Sequence, residues 1–496
     1  MVRGYDARVL LASLLAVLLA ASAVPPQARL EAALLESVAA SCAGKVPKVD
    51  ESLTQAARAF GQAVREGRAE ASGDALSFFA SLGTIDPSPY CGVGTVDPPP
   101  QADRAVGDLF PRSCRFDLVG VAAVAVSPTQ AVVAVLTARR GAVLLPLPAQ
   151  VEALEVVRFA GRLSDPALSA PRLYHLKPTG EVDDVPLVAS KGEFALPVRL
   201  IETGAHALEL LADGPGGPQV VALRRIFAGV APPASPPPPL PPVEGDGLAA
   251  VERAIAALRH ARGLPPLLRD AALDQVAEGH CKEMARLKTF AHVLPSDGSL
   301  GDRLVKAGYA YRSAGENLGL GEDAARAHEA VAQSPAHLFN LLDPRHRRVG
   351  LGAVRALSPE GLSAVWLTEV LALPVVGSKD PAGEVERVLQ AERKKRNLSL
   401  LRRTAALDGM ALKEIRHIAM AEAKILDTGA AQRALDADPE LRSAATDLAV
   451  VGAPEDTVTS KNLGEPAWTK LGIGAIYASS EKYGPGRLWV LIVYAR

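Results

Sequence analysis

The sequence predicts a multidomain protein of the α+β class. Helical periodicity runs through residues 27–83 and is followed by two Val- and Ala-rich segments, 117–126 and 130–138, which are typical of a strand pair. Short alternating segments between turns fill residues 150–230. Helical patterns return from residue 247. A chain of 496 residues is too long for a single core, so we expect several domains.

The amino terminus predicts export. Arg3 and Arg8 precede an apolar run from Val9 to Leu19, and the small residues Ala21-Ser22-Ala23 follow it. We interpret residues 1–23 as a signal peptide cut near Ala23, because the run is too short for the alternative, an uncleaved membrane anchor. The mature protein is therefore predicted to be secreted, extracellular or periplasmic, without a transmembrane span.

Charge and cysteine content narrow the class of protein. A formal net charge of -1 and 22% charged residues argue against a nucleic-acid-binding protein. Four cysteines in an exported chain permit disulfides but are too few for a dense framework. We expect one pair among Cys42, Cys91 and Cys114, with one of the three left over. Cys281 is interpreted as a small buried apolar residue, because nothing near it marks an activated nucleophile.

Domain boundaries follow from changes in composition. Residues 24–146 are predicted to form an α+β domain, in which the two strands turn at 127–129. The close spacing of strands and turns over 147–230 predicts a small β-sandwich of immunoglobulin-like type. The stretch A-P-P-A-S-P-P-P-P-L-P-P that follows cannot join a helix or a sheet, so residues 231–243 are predicted to be a semi-rigid linker.

The next domain, over 244–376, opens with two predicted helices. The first covers about 247–262 and ends at Gly263, and the second covers about 270–287. His280 lies on the apolar face of the second helix. We interpret it as a partly buried histidine with satisfied hydrogen bonds and leave it out of the site.

Three isolated polar residues follow, in the motifs F-A-H, A-G-E-N-L and S-P-A-H-L-F-N. They are His292, Glu316 and His337, each in a predicted turn or at a helix end. Two imidazoles and a carboxylate can bind a metal ion or carry out acid/base chemistry. The intervals of 24 and 21 residues fit no short metal-binding motif, so spacing alone is weak support.

Residues 246–375 resemble the CAP superfamily, which includes cysteine-rich secretory proteins, antigen 5, pathogenesis-related proteins and bacterial SCP-like proteins. Besides the three motifs, the resemblance is carried by V-E-R-A-I-A-A-L-R-H-A-R-G-L-P-P-L at 251–267, G-D-R-L-V-K-A-G-Y at 301–309 and R-R-V-G-L-G-A-V at 347–354. The resemblance implies an α-β-α sandwich with a solvent cleft over one end of the sheet.

The resemblance also implies roles for the motif residues. In the family these polar residues converge in the cleft, which carries over to His292, Glu316 and His337 here. Zinc or another divalent cation would be bound by His292 and His337, with water completing the shell and Glu316 binding or polarising that water. Asn317 would hold its loop by hydrogen bonds, and Ser334 would cap the helix that presents His337.

The sequence departs from the family pattern at four positions. Val331 replaces the usual aromatic residue, Ala336 replaces the glycine of S-P-G-H, and Thr368-Glu369 replaces Thr-Gln. Trp366 occupies the place of a further histidine in the eukaryotic members. The two-histidine, two-glutamate set of those members is therefore incomplete.

Internal similarity extends the resemblance to both ends of the chain. Residues 385–408 align without gaps to 251–274, at an offset of 134. The segments at 471–478 and 487–495 resemble the closing hairpin but all three motifs are missing, so 380–496 is predicted to be a degenerate CAP-like domain. Residues 117–137 are similar to 348–368, which predicts a divergent CAP-like fold for 24–146.

We expect a secreted CAP-domain protein that acts in extracellular or envelope binding, through an envelope protein, a lipid or a small ligand, with a possible divalent-metal cleft. The alternative is a metal-assisted or acid/base hydrolase, peptidase-like, that uses Glu316 and the two histidines. The sequence disfavours an enzyme, because it offers no activated Ser or Cys and the sister domains lack the residues. In a third interpretation the degenerate domains bind an envelope partner and the cleft is incidental. Fold alone does not decide among them.

Overall fold

The computed structural model describes residues 26–42, 47–96, 114–238, 247–359, 361–375, 380–420, 429–460, 462–480 and 482–496. The predicted signal peptide lies outside these residues, as do positions 239–243 of the predicted linker; positions 231–238 are neither helix nor strand. Two compact units are present. One contains the described residues up to 238 with Ala332–Phe339 and Leu357–Ala364, and the other contains the remaining described residues.

The first domain packs helices on a four-stranded sheet. Its helices are α1 (Pro26–Ser41), α2 (Glu51–Arg65) and α3 (Gly73–Gly83). Its strands are β1 (Lys48–Val49), β2 (Tyr90–Val96), β3 (Leu118–Ser127) and β4 (Gln130–Ala138), in the order β1-β3-β4-β2. A disulfide joins Cys42 to Cys114, which confirms one pair among the three cysteines; Cys91 is the thiol left over.

Residues 142–228 form two mainly antiparallel sheets around one core. The strands are β5 (Ala142–Leu144), β6 (Gln150–Val151), β7 (Val156–Leu163), β8 (Ser169–Leu176), β9 (Val182–Val185), β10 (Ala189–Ser190), β11 (Glu193–Arg199), β12 (Gly204–Gly214) and β13 (Gly217–Ala228). Their orders are β10-β11-β7-β5 and β6-β13-β12-β8-β9. Phe159, Leu173 and Leu208 are fully buried in the core. The sheets make a sandwich; its immunoglobulin-like class stays a prediction.

The predicted CAP region consists of five helices and four strands within its described residues. The helices are α4 (Leu248–His260), α5 (Ala271–Leu287), α6 (Leu300–Lys306), α7 (Ala324–Gln333) and α8 (Pro335–Leu341). The strands are β14 (Leu268–Arg269), β15 (Tyr311–Gly321), β16 (Arg348–Leu357) and β17 (Ser363–Pro374), in the order β14-β16-β17-β15. The two helices predicted for 247–262 and 270–287 are confirmed within two residues at each end.

Alternate residues of β17 explain how helices cover both faces of this sheet. Leu367 packs with Val251 of α4 and Ala327 of α7. Val370 packs on the opposite face with Leu273 of α5. The α5 backbone approaches the sheet so closely that a Cβ on Gly350 would lie 2.2 Å from the Leu273 carbonyl carbon. The domain is an α-β-α sandwich, which confirms the fold that the family resemblance predicted.

The last domain uses the same strand order. Its helices are α9 (Pro381–Lys395), α10 (Ala405–Met420) and α11 (Ala430–Ala437), with 3-10 turns at Pro454–Thr459 and Asn462–Gly464. Its strands are β18 (Arg402–Arg403), β19 (Ala444–Val451), β20 (Lys470–Ser480) and β21 (Gly484–Ala495), in the order β18-β20-β21-β19. In both domains and in the first, a short strand pairs in parallel with the first strand of the closing hairpin.

Buried arginines make equivalent hydrogen bonds in the last two domains. Arg259 donates from Nη1 to the carbonyls of Leu341 and Asp343, at 2.7 and 3.1 Å. Arg393, 134 positions later, donates from Nη1 to the carbonyls of Leu463 and Glu465, at 2.8 and 3.1 Å. The two arginines therefore make the same pair of backbone hydrogen bonds in each domain. That the last domain is a degenerate CAP copy stays a prediction.

Candidate functional site

Glu316 lies at the centre of a buried charged cluster on the α5 face of the sheet. It sits on β15 opposite Val370 of β17, and its side chain is 3% exposed. Arg303 Nη2 lies 2.5 Å from Glu316 Oε1, and His292 Nδ1 lies 2.9 Å from Oε2. Both carboxylate oxygens are therefore hydrogen-bonded to a basic side chain, as a buried carboxylate requires.

Arg303 also connects the elements that carry the cluster. A capping box between Ser299 and Asp302 starts α6, which places Arg303 in its first turns. From Nη1 the guanidinium donates to the carbonyls of His292 and Gly298, at 3.1 and 2.9 Å. One arginine thus binds the His292 backbone and the Glu316 side chain together.

These contacts fix the tautomer of His292. A carboxylate oxygen only accepts hydrogen bonds, so Nδ1 carries a proton and donates it to Glu316. In the neutral ring the lone pair then lies on Nε2, and the His292 side chain is 22% exposed. The cluster presents one oriented imidazole nitrogen to a ligand, and a carboxylate holds that ring from behind.

His280 adds a second, fully buried imidazole. Its Nδ1 lies 2.7 Å from Asp297 Oδ2, its Nε2 lies 3.0 Å from the Ala291 carbonyl, and Nε2 is 4.0 Å from Glu316 Oε2. The predicted satisfied histidine is confirmed, yet it borders the site, which the helical pattern alone could not show. Both ring nitrogens thus lie within hydrogen-bond distance of an oxygen acceptor.

The charges around Glu316 determine its protonation. Burial raises the pKa of its carboxyl group, but the hydrogen bond from His292 and the electrostatic effects of His292, Arg303 and His280 together outweigh burial. The pKa of Glu316 therefore lies below its ordinary value. The carboxylate stays ionised in neutral solution and continues to hold His292.

Comparison with known proteins identifies this region. The model of the cysteine-rich secretory protein family, CAP, matches residues 252–365. This part of the chain belongs to the CAP family. The match contains His292, Arg303 and Glu316, so the charged cluster lies inside the CAP domain.

Relatives in Bacillus subtilis are similar over the same part of the chain. The uncharacterized protein YkwD is 31% identical over 99 residues, which are 20% of this chain and 38% of YkwD. The uncharacterized membrane protein YlbC is 31% identical over 110 residues, 22% of this chain and 32% of YlbC. The chain thus spans about a third of the length of these curated relatives.

Solved structures with low similarity include two surface or extracellular proteins. An outer surface protein of Borrelia burgdorferi is 20% identical, with a TM-score of 0.23 over 26% of this chain and 92% of that one. An extracellular protein containing an SCP domain from Bacillus anthracis is 17% identical, with a TM-score of 0.24 over 47% of this chain and 67% of that one.

The remaining predicted residues lie elsewhere in or beside the CAP domain. His337 is on α8, in the segment 332–339 that clusters with the first compact unit, whereas His292 and Glu316 are in the second. Convergence of all three therefore stays a prediction. Asn317, next to Glu316, accepts a hydrogen bond from Asn340 at 3.1 Å, in keeping with the predicted supporting role.

Ser334 occupies the predicted position before α8 but bonds differently. Its carbonyl accepts from Leu338, as that of an N-cap residue does. Its hydroxyl, however, donates to Glu209 Oε2 at 2.9 Å, and the same oxygen accepts the Ala336 N–H at 2.7 Å. A carboxylate from β12 thus takes the backbone bond predicted for the serine hydroxyl. Glu209 is not predictable from sequence, because it lies 125 residues away.

Glu316 accepts one hydrogen bond on each carboxylate oxygen, from Arg303 and from His292, and its role as a metal ligand stays a prediction. Among the residues that the structure describes, no group of three or more His, Cys, Asp or Glu is placed to hold a metal ion. His292 Nε2 is the donor atom that the cluster offers, with Glu316 as the carboxylate behind it. A zinc ion shared by His292 and His337 stays a prediction.

Cys281 is not a nucleophile in this fold. Its thiol is fully buried, and Sγ lies within hydrogen-bond distance of the Gly352 carbonyl and of Thr368 Oγ1, at 3.2 and 3.1 Å. Burial raises the pKa of the thiol to about 12, so the thiolate is not formed at neutral pH. The interpretation of Cys281 as a small buried residue is confirmed.

Proposed function

We propose that this protein is an exported binding protein whose CAP domain contacts its ligand through His292, held by Glu316 and Arg303. The ligand classes predicted from sequence remain an extracellular or envelope protein, a lipid, or a small molecule. The site suits a ligand that donates a hydrogen bond to His292 Nε2. Phe290, two residues away in sequence and 42% exposed, would add an apolar contact to such a ligand.

One observation carries this proposal: the position of Glu316 holds no carboxylate in the last domain. Asn317 lies opposite Glu369 in the sheet of the CAP domain, and Asp447 lies opposite Ile492 in the sheet of the last domain. Asp447 therefore matches Asn317. The residue before Asp447 is Thr446, so Thr446 occupies the position of Glu316. The frame of this fold therefore forms without a buried carboxylate there. A buried charge that the frame does not need supports a role in binding.

Support for export comes from the disulfide between Cys42 and Cys114, because such bonds persist in oxidising compartments. Among the described residues, no helix has the length and apolar character that a bilayer crossing requires. We propose an extracellular or periplasmic location on the strength of the disulfide and the predicted signal peptide.

Photo-crosslinking tests the binding site. p-Benzoylphenylalanine is placed at Phe290 in the full chain, and adducts formed in producing cells are identified by mass spectrometry. We expect an adduct that His292→Ala and Glu316→Gln each abolish. A matched probe at Leu400, which is 61% exposed in the last domain, is the control. An adduct that both substitutions leave unchanged, or that Leu400 also forms, contradicts the proposal.

A hydrolase is the second candidate, favoured by the orientation of His292. A histidine whose Nδ1–H is held by a carboxylate can take a proton from water at Nε2, as a general base does. Incubating the full chain with a fluorogenic peptide library separates the candidates. We expect no turnover that depends on His292. Cleavage that His292→Ala abolishes and the exposed control His260→Ala retains would replace the binding proposal with an enzymatic one.

A further inference from the structure

A second buried carboxylate–imidazole pair lies on the opposite face of the CAP sheet. His328 of α7 donates from Nδ1 to Glu369 Oε1 at 2.6 Å. Glu369 is completely buried, and the His328 side chain is 7% exposed. The pair explains the departure noted at Thr368-Glu369, because the carboxylate has a basic partner within contact distance. Sequence reasoning assigned no role to either residue.

Side-chain hydrogen bonds connect this pair to the site. Asn317 Nδ2 donates to Glu369 Oε2 at 3.1 Å. Asn340 Nδ2 in turn donates to Asn317 Oδ1 at 3.1 Å and to the Glu316 carbonyl at 3.4 Å. The chain of contacts thus runs from Glu369 to the backbone of Glu316, the residue that orients His292.

The last domain contains a hydrogen bond equivalent to that between Asn340 and Asn317, but it lacks the charged pair. Asn462 Nδ2 donates to Asp447 Oδ1 at 2.7 Å, as Asn340 donates to Asn317. Ile492 stands opposite Asp447, where Glu369 stands opposite Asn317. The asparagine hydrogen bond is thus common to both domains, whereas the Glu369–His328 pair is specific to the CAP domain.

Hydrogen-bond chemistry explains the difference. An asparagine amide can turn either its oxygen or its nitrogen toward Asn340, whereas an aspartate presents oxygen in both orientations. Asn317 therefore needs an acceptor-only neighbour that binds Nδ2 and leaves Oδ1 for Asn340, and a carboxylate at position 369 is such a neighbour. Asp447 needs none, which permits Ile492. His328 supplies the basic partner that a buried carboxylate requires.

We infer that Glu369 and His328 are positioning residues for the His292 site: they fix the orientation of Asn317, through it Asn340, and through Asn340 the backbone of Glu316. This inference rests on the proposed function. Neither residue contacts a ligand in this role. Their removal is expected to loosen the bond between Glu316 and His292 without unfolding the domain.

The ring nitrogens of His292 report the outcome. In the metal-free full chain, ¹⁵N chemical shifts of labelled histidine distinguish the Nδ1–H from the Nε2–H tautomer at fixed pH. We expect the Nδ1–H tautomer in the wild type. In Glu369→Ile/His328→Leu its fraction should fall by at least half. Adding Asn317→Asp reproduces the residues at positions 447 and 492 of the last domain and should restore it.

An unchanged tautomer in the folded double variant overturns the inference, as does a triple variant that restores nothing. If the double variant does not fold, Glu369→Gln decides, because its amide can turn nitrogen toward Asn317 and should give two His292 forms; a single unchanged form contradicts the inference. Glu316→Gln separates this result from the proposed function. If Glu316→Gln also leaves the His292 tautomer unchanged, the binding site itself is wrong; if it alters the tautomer, only the positioning role fails.

Discussion

The guanidinium of Arg303 and the carboxylate of Glu316 form an ion pair at 2.5 Å in which the two side chains are only 6% and 3% exposed. Removing one member of a buried pair leaves the other charge without compensation, which costs about 3–5 kcal/mol. We therefore expect Arg303→Ala to lower the free energy of unfolding of the CAP domain by about that amount, measured by urea denaturation.

The surface pair Arg286–Glu283 is the matched control, because its atoms are also 2.5 Å apart but Arg286 is 61% exposed. We expect Arg286→Ala to change the free energy of unfolding by less than about 1 kcal/mol. If Arg286→Ala and Arg303→Ala lower the free energy of unfolding equally, burial does not make the Arg303–Glu316 pair more important for stability, and the prediction is wrong.

Two buried histidines make the β-sandwich sensitive to acid. His206 donates from Nε2 to the Glu202 carbonyl at 2.7 Å, so its Nδ1 accepts the Nε2–H of His175 at 2.9 Å. Burial, and to a lesser extent the electrostatic effect of the neighbouring His206, lower the pKa of His175 to about 4. The unfolded chain then binds more protons between about pH 6.5 and 4, and stability falls by about 3 kcal/mol as pH falls through that range.

His175→Gln tests this effect, because its amide can donate to His206 but does not titrate in this range. We expect the difference in free energy of unfolding between wild type and variant, measured in urea, to shrink by about 3 kcal/mol from pH 7 to pH 4. A difference that is the same at both pH values contradicts the prediction.

Glu209 gives the opposite pH dependence. Burial raises the pKa of Glu209 to about 7, against hydrogen bonds from Ala336 and Ser334 that lower it. The folded state then binds more protons between about pH 4.5 and 7, so stability falls as pH rises through that range, by about 3 kcal/mol. Glu209→Gln keeps an acceptor for both donors. We expect the free energy of unfolding of the variant, relative to that of the wild type, to be about 3 kcal/mol higher at pH 8 than at pH 4, measured by urea denaturation.

The zinc prediction is tested directly by calorimetry and metal analysis of the full chain. Because Glu316 accepts the hydrogen bond from Nδ1 of His292, Nε2 is the ring nitrogen that could bind a metal ion. We expect one zinc per chain in the wild type and in His260→Ala, and none in His292→Ala/His337→Ala. If the folded wild-type protein binds no zinc, the zinc prediction is wrong and any ligand must be bound by the protein side chains alone.

Periodicity and self-similarity predicted much of the fold. The alternating valines of 117–138 became β3 and β4, and the helix over 270–287 was correct because Asp270 caps it and Leu273 faces the core. Those features depend on near neighbours in sequence. The pairing of His292 with Glu316 came from the family resemblance, because local sequence patterns cannot show that two residues 24 positions apart meet.

Other parts of the site could not be predicted in this way. Arg303 lies in a motif that the sequence showed, but a charged residue on a short helix is more often exposed. His328 and Glu369 meet across 41 residues and through the packing of α7 on the sheet. The sequence offered one indication, the glutamate at position 369 in place of the usual glutamine. A buried glutamate indicates a basic partner but does not show which residue it is.

The contact of Gly350 with Leu273 has counterparts at Gly120 with Leu53 and at Gly472 with Leu407, where a Cβ would lie 2.4 Å from the neighbouring atoms. In each domain the helix that carries this leucine lies so close to the closing hairpin that any side chain at the glycine would collide with it. Such a contact lets neither element slide or rotate without collision. Any residue other than glycine at these three positions would therefore push the helix away from its sheet, so the spacing between helix and strand depends on a single hydrogen atom in place of a side chain.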